Sequence, residues 1–149
     1  LTHFLIEPFV PHEQHEEHYI CIHSDRYFDE ILFYHEGGVD VGDVDAKAQK
    51  LTIPTSAACT DADIQSVLLK FVPPQKQGNL TSFISALYKL YRALHFAYLE
   101  INPIAMLSDG TVVPLDCAAK IDETANFVCA QKWGNIDWPP PFGRAAYPE

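Results

Sequence analysis

Tyr98-Leu99-Glu100-Ile101-Asn102-Pro103, followed by Asp109-Gly110 and then Leu115-Asp116, decides how this chain folds. Successive side chains of a strand point to opposite faces. Leu99 and Ile101 therefore suit a core, and Glu100 and Asn102 share the other face. Tyr98 to Met106 reads as a strand, Asp109-Gly110 as a turn, and Thr111 to Leu115 as the return. The loop length sets which residues meet. A two-residue loop pairs Ser108 with Thr111 and turns Asp116 away. A three-residue loop puts Gly110 in the left-handed conformation and pairs Leu107 with Thr111. Asn102 then lies opposite Asp116 with Cβ atoms ~5 Å apart. The three-residue loop is the expectation, with Glu100, Asn102 and Asp116 on one face.

One carboxylate, one amide oxygen and open positions suit Mg²⁺, which takes hard oxygen ligands and keeps several waters. Lys120 follows Asp116 by four residues, within reach of a phosphate. A solvated hairpin face carrying an acid and an amide is the plainer alternative.

Upstream, the apolar positions 80, 83, 84, 87, 90, 91 and 94 form a helical stripe running to about His95. Asp61 is positioned to cap a short helix through Lys70, and Pro73-Pro74 ends it. Tyr19-Ile20-Cys21-Ile22 and Ile31-Leu32-Phe33-Tyr34 read as an antiparallel pair, broken after the second strand by Glu36-Gly37-Gly38. Phe4-Leu5-Ile6 reads as a buried strand running into the connector Glu7-Pro8. Val39 to Asp45 alternates apolar and polar residues, as an edge strand or extended loop. Trp133 to Gly143 holds three consecutive prolines and reads as an extended tail docked by its tryptophans. Strands and helices mixed in one unit indicate an α+β fold.

The 149 residues carry 20 acids and 10 basic residues, for a formal charge of −10. Residues 1–63 hold 13 acids against Arg26, Lys47 and Lys50, so the whole excess lies there. Such a chain repels nucleic acid and anionic lipid. No apolar run reaches the ~20 residues of a membrane helix. Four scattered cysteines without a C-x-x-C pair point to reduced thiols and a cytoplasmic setting. His12, His15 and His18 recur beside Glu13, Glu16 and Glu17 in a zinc-compatible spacing, although a solvated turn accounts for them as well. Asp40, Asp43 and Asp45 lack the later Glu of a calcium loop. Cys59 and Cys129 read as packing residues.

The motif Leu99-Glu100-Ile101-Asn102-Pro103, with Asp109-Gly110, Leu115-Asp116 and Ala118-Ala119-Lys120, resembles the ATP-grasp domain of acyl-CoA synthetases. Phe4 to His12, His35 to Lys50 and Trp133 to Tyr147 are similar more narrowly to the ATP-citrate lyase family. The resemblance implies that residues 1–130 are the C-terminal part of an ATP-grasp nucleotide-binding domain with a mixed or antiparallel sheet. Residues 131–149 would lead to the next domain. It implies an enzyme that makes acetyl-CoA and oxaloacetate from citrate, CoA and ATP through a phosphohistidine.

By the same resemblance, Asn102 and Asp116 hold Mg²⁺ and Glu100 faces the accepting histidine. Glu7, Pro8, Phe9 and Val10 form the hinge beside the adenine of ATP or ADP, Glu17 takes the ribose hydroxyls, and His35 to Gly38 lie near the phosphates. The family's phosphate-gripping lysines would precede residue 1. Its histidine, citrate and CoA sites would follow Glu149, in the remainder of a homotetrameric enzyme, and this chain alone would not turn over. Two rival readings are a succinyl-CoA synthetase β-type subunit and a non-catalytic packing or oligomerisation module. The Val39 to Lys50 run and the proline-rich tail argue against the β-type subunit.

Overall fold

The structure, a computed structural model, describes residue 4, residues 6–38 and residues 44–134. The strands β1 (Glu17–Ser24), β2 (Phe28–Tyr34), β3 (Gln49–Pro54), β4 (Phe96–Met106), β5 (Val112–Pro114) and β6 (Ala118–Ile121) form one sheet. Its order is β3-β2-β1-β4-β5, with β6 also on β4, and every pairing is antiparallel. The helices are α1 (Val44–Lys47), α2 (Asp61–Asp63), α3 (Pro74–Ala93) and α4 (Asn126–Trp133). The fold is the expected α+β arrangement with an antiparallel sheet and packed helices.

One sheet face buries Ile20 and Ile22 of β1, Ile31 and Phe33 of β2, and Leu99, Ile101 and Ile104 of β4. Leu80, Ile84, Tyr88 and Tyr91 of α3 cover it, together with the π turn Ile64–Leu68 that continues α2. Each such fully buried side chain contributes about 1.5–3 kcal/mol. The opposite face carries a smaller cluster of Tyr19, Cys21, Leu32 and Ala48, with Tyr34, Val44 and Tyr98 packed on it.

Several local expectations change. Pro73-Pro74 opens the long helix rather than closing the one before it. Pro74 occupies its first turn, where a missing N–H costs nothing, so α3 starts six residues before Leu80. Thr60, not Asp61, caps α2, by a reciprocal pair of hydrogen bonds with Asp63. Phe4 and Ile6 are 75% and 91% exposed and lie outside any strand. Apolarity alone does not supply a pairing partner, and Pro8 just downstream lacks the N–H of a ladder bond. Leu5, Val39 to Asp43 of the alternating run, and Asn135 onward lie outside the described residues, and the run's last two residues, Val44 and Asp45, open α1 rather than an edge strand or loop. Residues 131–133 belong to α4 rather than to an extended tail, because the helix runs on to Trp133, whose Nε1–H donates to the Leu94 carbonyl at 3.0 Å.

A tie at one end of the sheet joins it to α3. Asp29 of β2 is 3% exposed. It accepts from Arg92 Nη1 at 2.7 Å, Tyr88 Oη at 2.8 Å and Ser24 Oγ at 2.7 Å. Burial alone would raise its carboxyl pKa, but these three partners hold it below the usual value. The Tyr88 phenol is pushed up to about 12, by burial first and then by Asp29.

Candidate functional site

β4 turns Leu99 and Ile101, each 3% exposed, into the core and presents Glu100 and Asn102 on the second face. The return takes the three-residue loop. Leu107 N–H donates to Thr111 O at 2.9 Å, and Gly110 sits at φ +87°. One register then holds from Met106 back to Tyr98, and it shifts before Phe96, which faces Ile121. Met106 faces Val112, Ile104 faces Pro114, Glu100 faces Ala118 and Tyr98 faces Lys120. The same count sets Asn102 across from Asp116. Residues 115–117 separate β5 from β6, and there Leu115 N–H still donates to the Pro103 carbonyl at 3.0 Å.

On the other edge of β4, Cys21 faces Glu100, Ile20 faces Ile101 and His18 faces Ile104. One residue of β1, Tyr19, thus stands against Asn102 and Pro103. Pro103 has no N–H for a ladder bond, which fits a bulge here; the Asn102–Pro103 peptide is cis. At the bulge, Tyr19 Oη donates to Glu100 Oε2 at 3.3 Å, and Tyr98 Oη donates to the same oxygen at 2.6 Å. Burial and this carboxylate raise the Tyr98 phenol far above its ordinary pKa, so it stays a donor. Lys120 Nζ lies 5.6 Å from the Tyr98 ring centroid.

Asn102 Oδ1 accepts the Gly38 N–H at 2.8 Å. The turn that donates it is pressed onto β1. A Cβ on Gly37 would stand 2.7 Å from the His18 carbonyl carbon and oxygen, and one on Gly38 would meet Glu17 Oε2. His18 Nδ1–H donates to the His35 carbonyl at 2.9 Å. Glu17 Oε1 faces His12 Nε2 at 3.1 Å, and His12 Nδ1 lies 2.7 Å from the Val10 carbonyl. Both ring nitrogens therefore meet acceptors, which favours the imidazolium. The His12 pKa is raised, most by the Val10 carbonyl and further by Glu17, against some desolvation.

Asp116 is exposed, and its Oδ1 accepts the Cys117 N–H at 2.8 Å. It lines an open cleft of about 480 Å³ with Glu7, Pro114, Leu115 and Cys117. Burial, then Asp116, pushes the Cys117 thiol up, away from thiolate chemistry.

Asn102 and Glu17 thus both meet Gly38, Glu100 shares the strand face of Asn102, and Glu7 and Asp116 share a cleft. Val10 is tied to Glu17 through His12. Pro8 and Phe9 are exposed, Phe9 by 86%, and neither lines that cleft. The Asn102 amide oxygen, with a second lone pair, and the exposed Asp116 carboxylate are hard donors of the kind Mg²⁺ takes. No group of three His, Cys, Asp or Glu among the described residues gathers around a metal position. Water and phosphate oxygens would complete such a shell. His12, His15 and His18 do not converge: His12 bonds to Glu17, His15 is exposed, and His18 is buried beside Phe33.

The contacts of Tyr19 and Tyr98 with Glu100, and of the Gly38 amide with Asn102, are not read from the sequence. Tyr98 was accessible, since it lies two residues before Glu100 on the same strand face. Tyr19 and Gly38 reach the site only through the β1–β4 register and the turn after β2.

Residues 1–133 match the family model described as the ATP-citrate synthase ATP-grasp domain. The chain is 56% identical over all its 149 residues to ATP-citrate synthase of Bos taurus, of which it spans 14%. It is 48% identical over 148 residues to the probable ATP-citrate synthase subunit 2 of Schizosaccharomyces pombe, of which it spans 30%. Among solved structures, ATP citrate lyase from Methanothrix soehngenii, in complex with citrate and coenzyme A, superposes with a TM-score of 0.74. That match has 32% identity and covers 95% of this chain and 32% of the other. The chain therefore corresponds to about one seventh of the mammalian relative. No helix among the described residues is long and apolar enough to cross a membrane. The Glu-Ile-Asn-Pro hairpin, its register and the match from end to end agree: this chain belongs to the ATP-citrate synthase family, as part of its ATP-grasp domain.

Proposed function

We propose that this chain is the nucleotide- and magnesium-binding part of an ATP-citrate lyase. The complete enzyme would make acetyl-CoA and oxaloacetate from citrate, CoA and ATP through a phosphohistidine. The observation that supports the reading is the β4 return, whose register is the same on either side of Asn102, with Ile104 against Pro114 and Glu100 against Ala118, while the Gly38 N–H bonds the Asn102 oxygen. Asn102 and Asp116 are the ligands of Mg²⁺, which when bound offsets phosphate charge. Glu17 accepts from the ribose hydroxyls, and the Glu7 to Val10 connector borders the adenine of ATP or ADP. Glu100 faces the accepting histidine. The work asked of these residues is positioning and charge stabilisation, the main demands of phosphoryl transfer.

The −10 charge of the chain supports a strict metal requirement, since a bare nucleotide anion is repelled. The phosphate-gripping lysines, the histidine and the citrate and CoA sites belong to the remainder of a cytoplasmic homotetramer, and this chain alone is inactive. The test is Mg·ADP binding and citrate-dependent acetyl-CoA formation by the full-length enzyme. Asp116→Ala is expected to weaken Mg·ADP binding at least tenfold, the equivalent of about 1.4 kcal/mol. Glu100→Gln is expected to bind normally and to form phosphohistidine much more slowly. Unchanged Mg·ADP affinity in Asp116→Ala would refute the metal assignment.

A further inference from the structure

We infer that Tyr98 and Tyr19 are positioning residues for Glu100, aiming one of its oxygens at the incoming histidine. The inference rests on the reading of Glu100 given above and adds what holds that carboxylate still.

Both phenols converge on one atom. Tyr98 Oη donates to Glu100 Oε2 at 2.6 Å, and Tyr19 Oη donates to the same oxygen at 3.3 Å. With Oε2 engaged twice, Oε1 is the oxygen directed to a further donor. The two phenols are held by different means. Tyr19 is 2% exposed and sits at the β1–β4 bulge. Tyr98 is half-buried on β4, two residues before Glu100, with Lys120 Nζ over its ring. A glutamate has three side-chain torsions to settle, and two fixed donors remove most of that freedom before the histidine arrives.

In the step this serves, the lone pair of one imidazole nitrogen forms the N–P bond. The P–O bond to ADP breaks and its electron pair leaves on ADP. The proton on the other ring nitrogen stays there, hydrogen-bonded to Glu100, whose charge offsets the positive charge the ring acquires.

The test uses full-length enzyme and single-turnover transfer of labelled γ-phosphoryl from ATP to the protein. Tyr98→Phe is expected to slow transfer about tenfold, the rate equivalent of one hydrogen bond to a charged group. The Mg·ATP concentration giving half the maximal rate should not change. Tyr19→Phe should act in the same direction and less, in line with its longer bond, and serves if Tyr98→Phe does not accumulate. In a Glu100→Gln background both tyrosine changes should have no further effect, because their action runs through that carboxylate. Wild-type rates in the tyrosine variants, or equal slowing in both backgrounds, would overturn the proposal while Glu100→Gln stays slow. A Glu100→Gln enzyme that transfers at the wild-type rate would overturn the reading of Glu100 itself, and the proposal with it.

Discussion

Gly37 leaves its neighbours no room for a side chain. A Cβ there would lie 2.7–2.8 Å from three backbone atoms of His18, none of which can swing aside. Gly37→Ala should therefore lift the turn from β1, at a cost of about 1–3 kcal/mol, and carry the Gly38 N–H away from Asn102. Thermal melting checks the first effect and Mg·ADP affinity the second. Gly78 is the control. It lies within α3, is exposed, and has no neighbour within 4 Å of where a methyl group would stand. Gly78→Ala should stabilise by roughly 0.5–1 kcal/mol.

His18 adds a pH effect at the same place. Its ring is buried against Phe33, its Nδ1–H is used by the His35 carbonyl, and Lys76 and His35 contribute unfavourable charge. Burial foremost, its pKa lies below the ordinary 6.5. The unfolded chain then takes a proton at a pH where the folded chain does not. Stability from this group is present above pH 6.5 and is lost as pH falls below it. Denaturant midpoints of His18→Phe should fall less than those of the wild type between about pH 6.5 and 5.

At the scale of elements, the Asp29 network and the α4 contacts fasten the C-terminal half of α3 on two sides. Asp29→Ala would leave the Tyr88 and Ser24 hydroxyls and Arg92 without their shared acceptor. A loss of roughly 2–4 kcal/mol is expected, read from urea midpoints at neutral pH. Its carboxyl is held below the usual range, so this contribution is complete above about pH 4 and disappears as pH falls through the lowered value. At the other attachment, Trp133 and Lys132 of α4 donate to the Leu94 and Ala93 carbonyls at the α3 C-terminus. Hydrophobic periodicity showed the centre of α3 but not its start, because Pro74 to Asn79 lack the stripe. There the helix is fastened by Gln77, whose side chain donates to Leu69 O and Val72 O. The β4 return was legible because a left-handed Gly110 and a three-residue loop leave one register, and that register fixes the pairing as far as Lys120. Phe4 to Ile6 reads as a strand from apolarity alone. Pairing is a tertiary property, and nothing in three residues reveals whether an edge awaits them.

For the whole molecule, the β4 hairpin was more legible in the sequence than the contacts that support it. Strand period and loop length give the positions of Glu100, Asn102 and Asp116 on the hairpin, and their roles are what the family resemblance implies. The tyrosine behind Glu100 on β1 is about 80 residues away along the chain, and the glycine amide on Asn102 sits on a turn whose placement only packing decides. The acid excess of residues 1–63 should repel a bare nucleotide anion, so nucleotide is expected to bind with its metal. ADP with EDTA should leave the chain unaltered at concentrations where Mg·ADP binds.

The most direct measurement is an NMR titration of the isotopically labelled chain with Mg·ADP, beside Asp116→Ala and a sample with EDTA. The expected result is amide shifts at Gly38, across Asn102 to Cys117 and through Glu7 to Val10, absent in the variant and in EDTA. A folded chain whose shifts instead centre on the cleft of Cys59, Tyr88 and Lys89, or persist in Asp116→Ala, would contradict it.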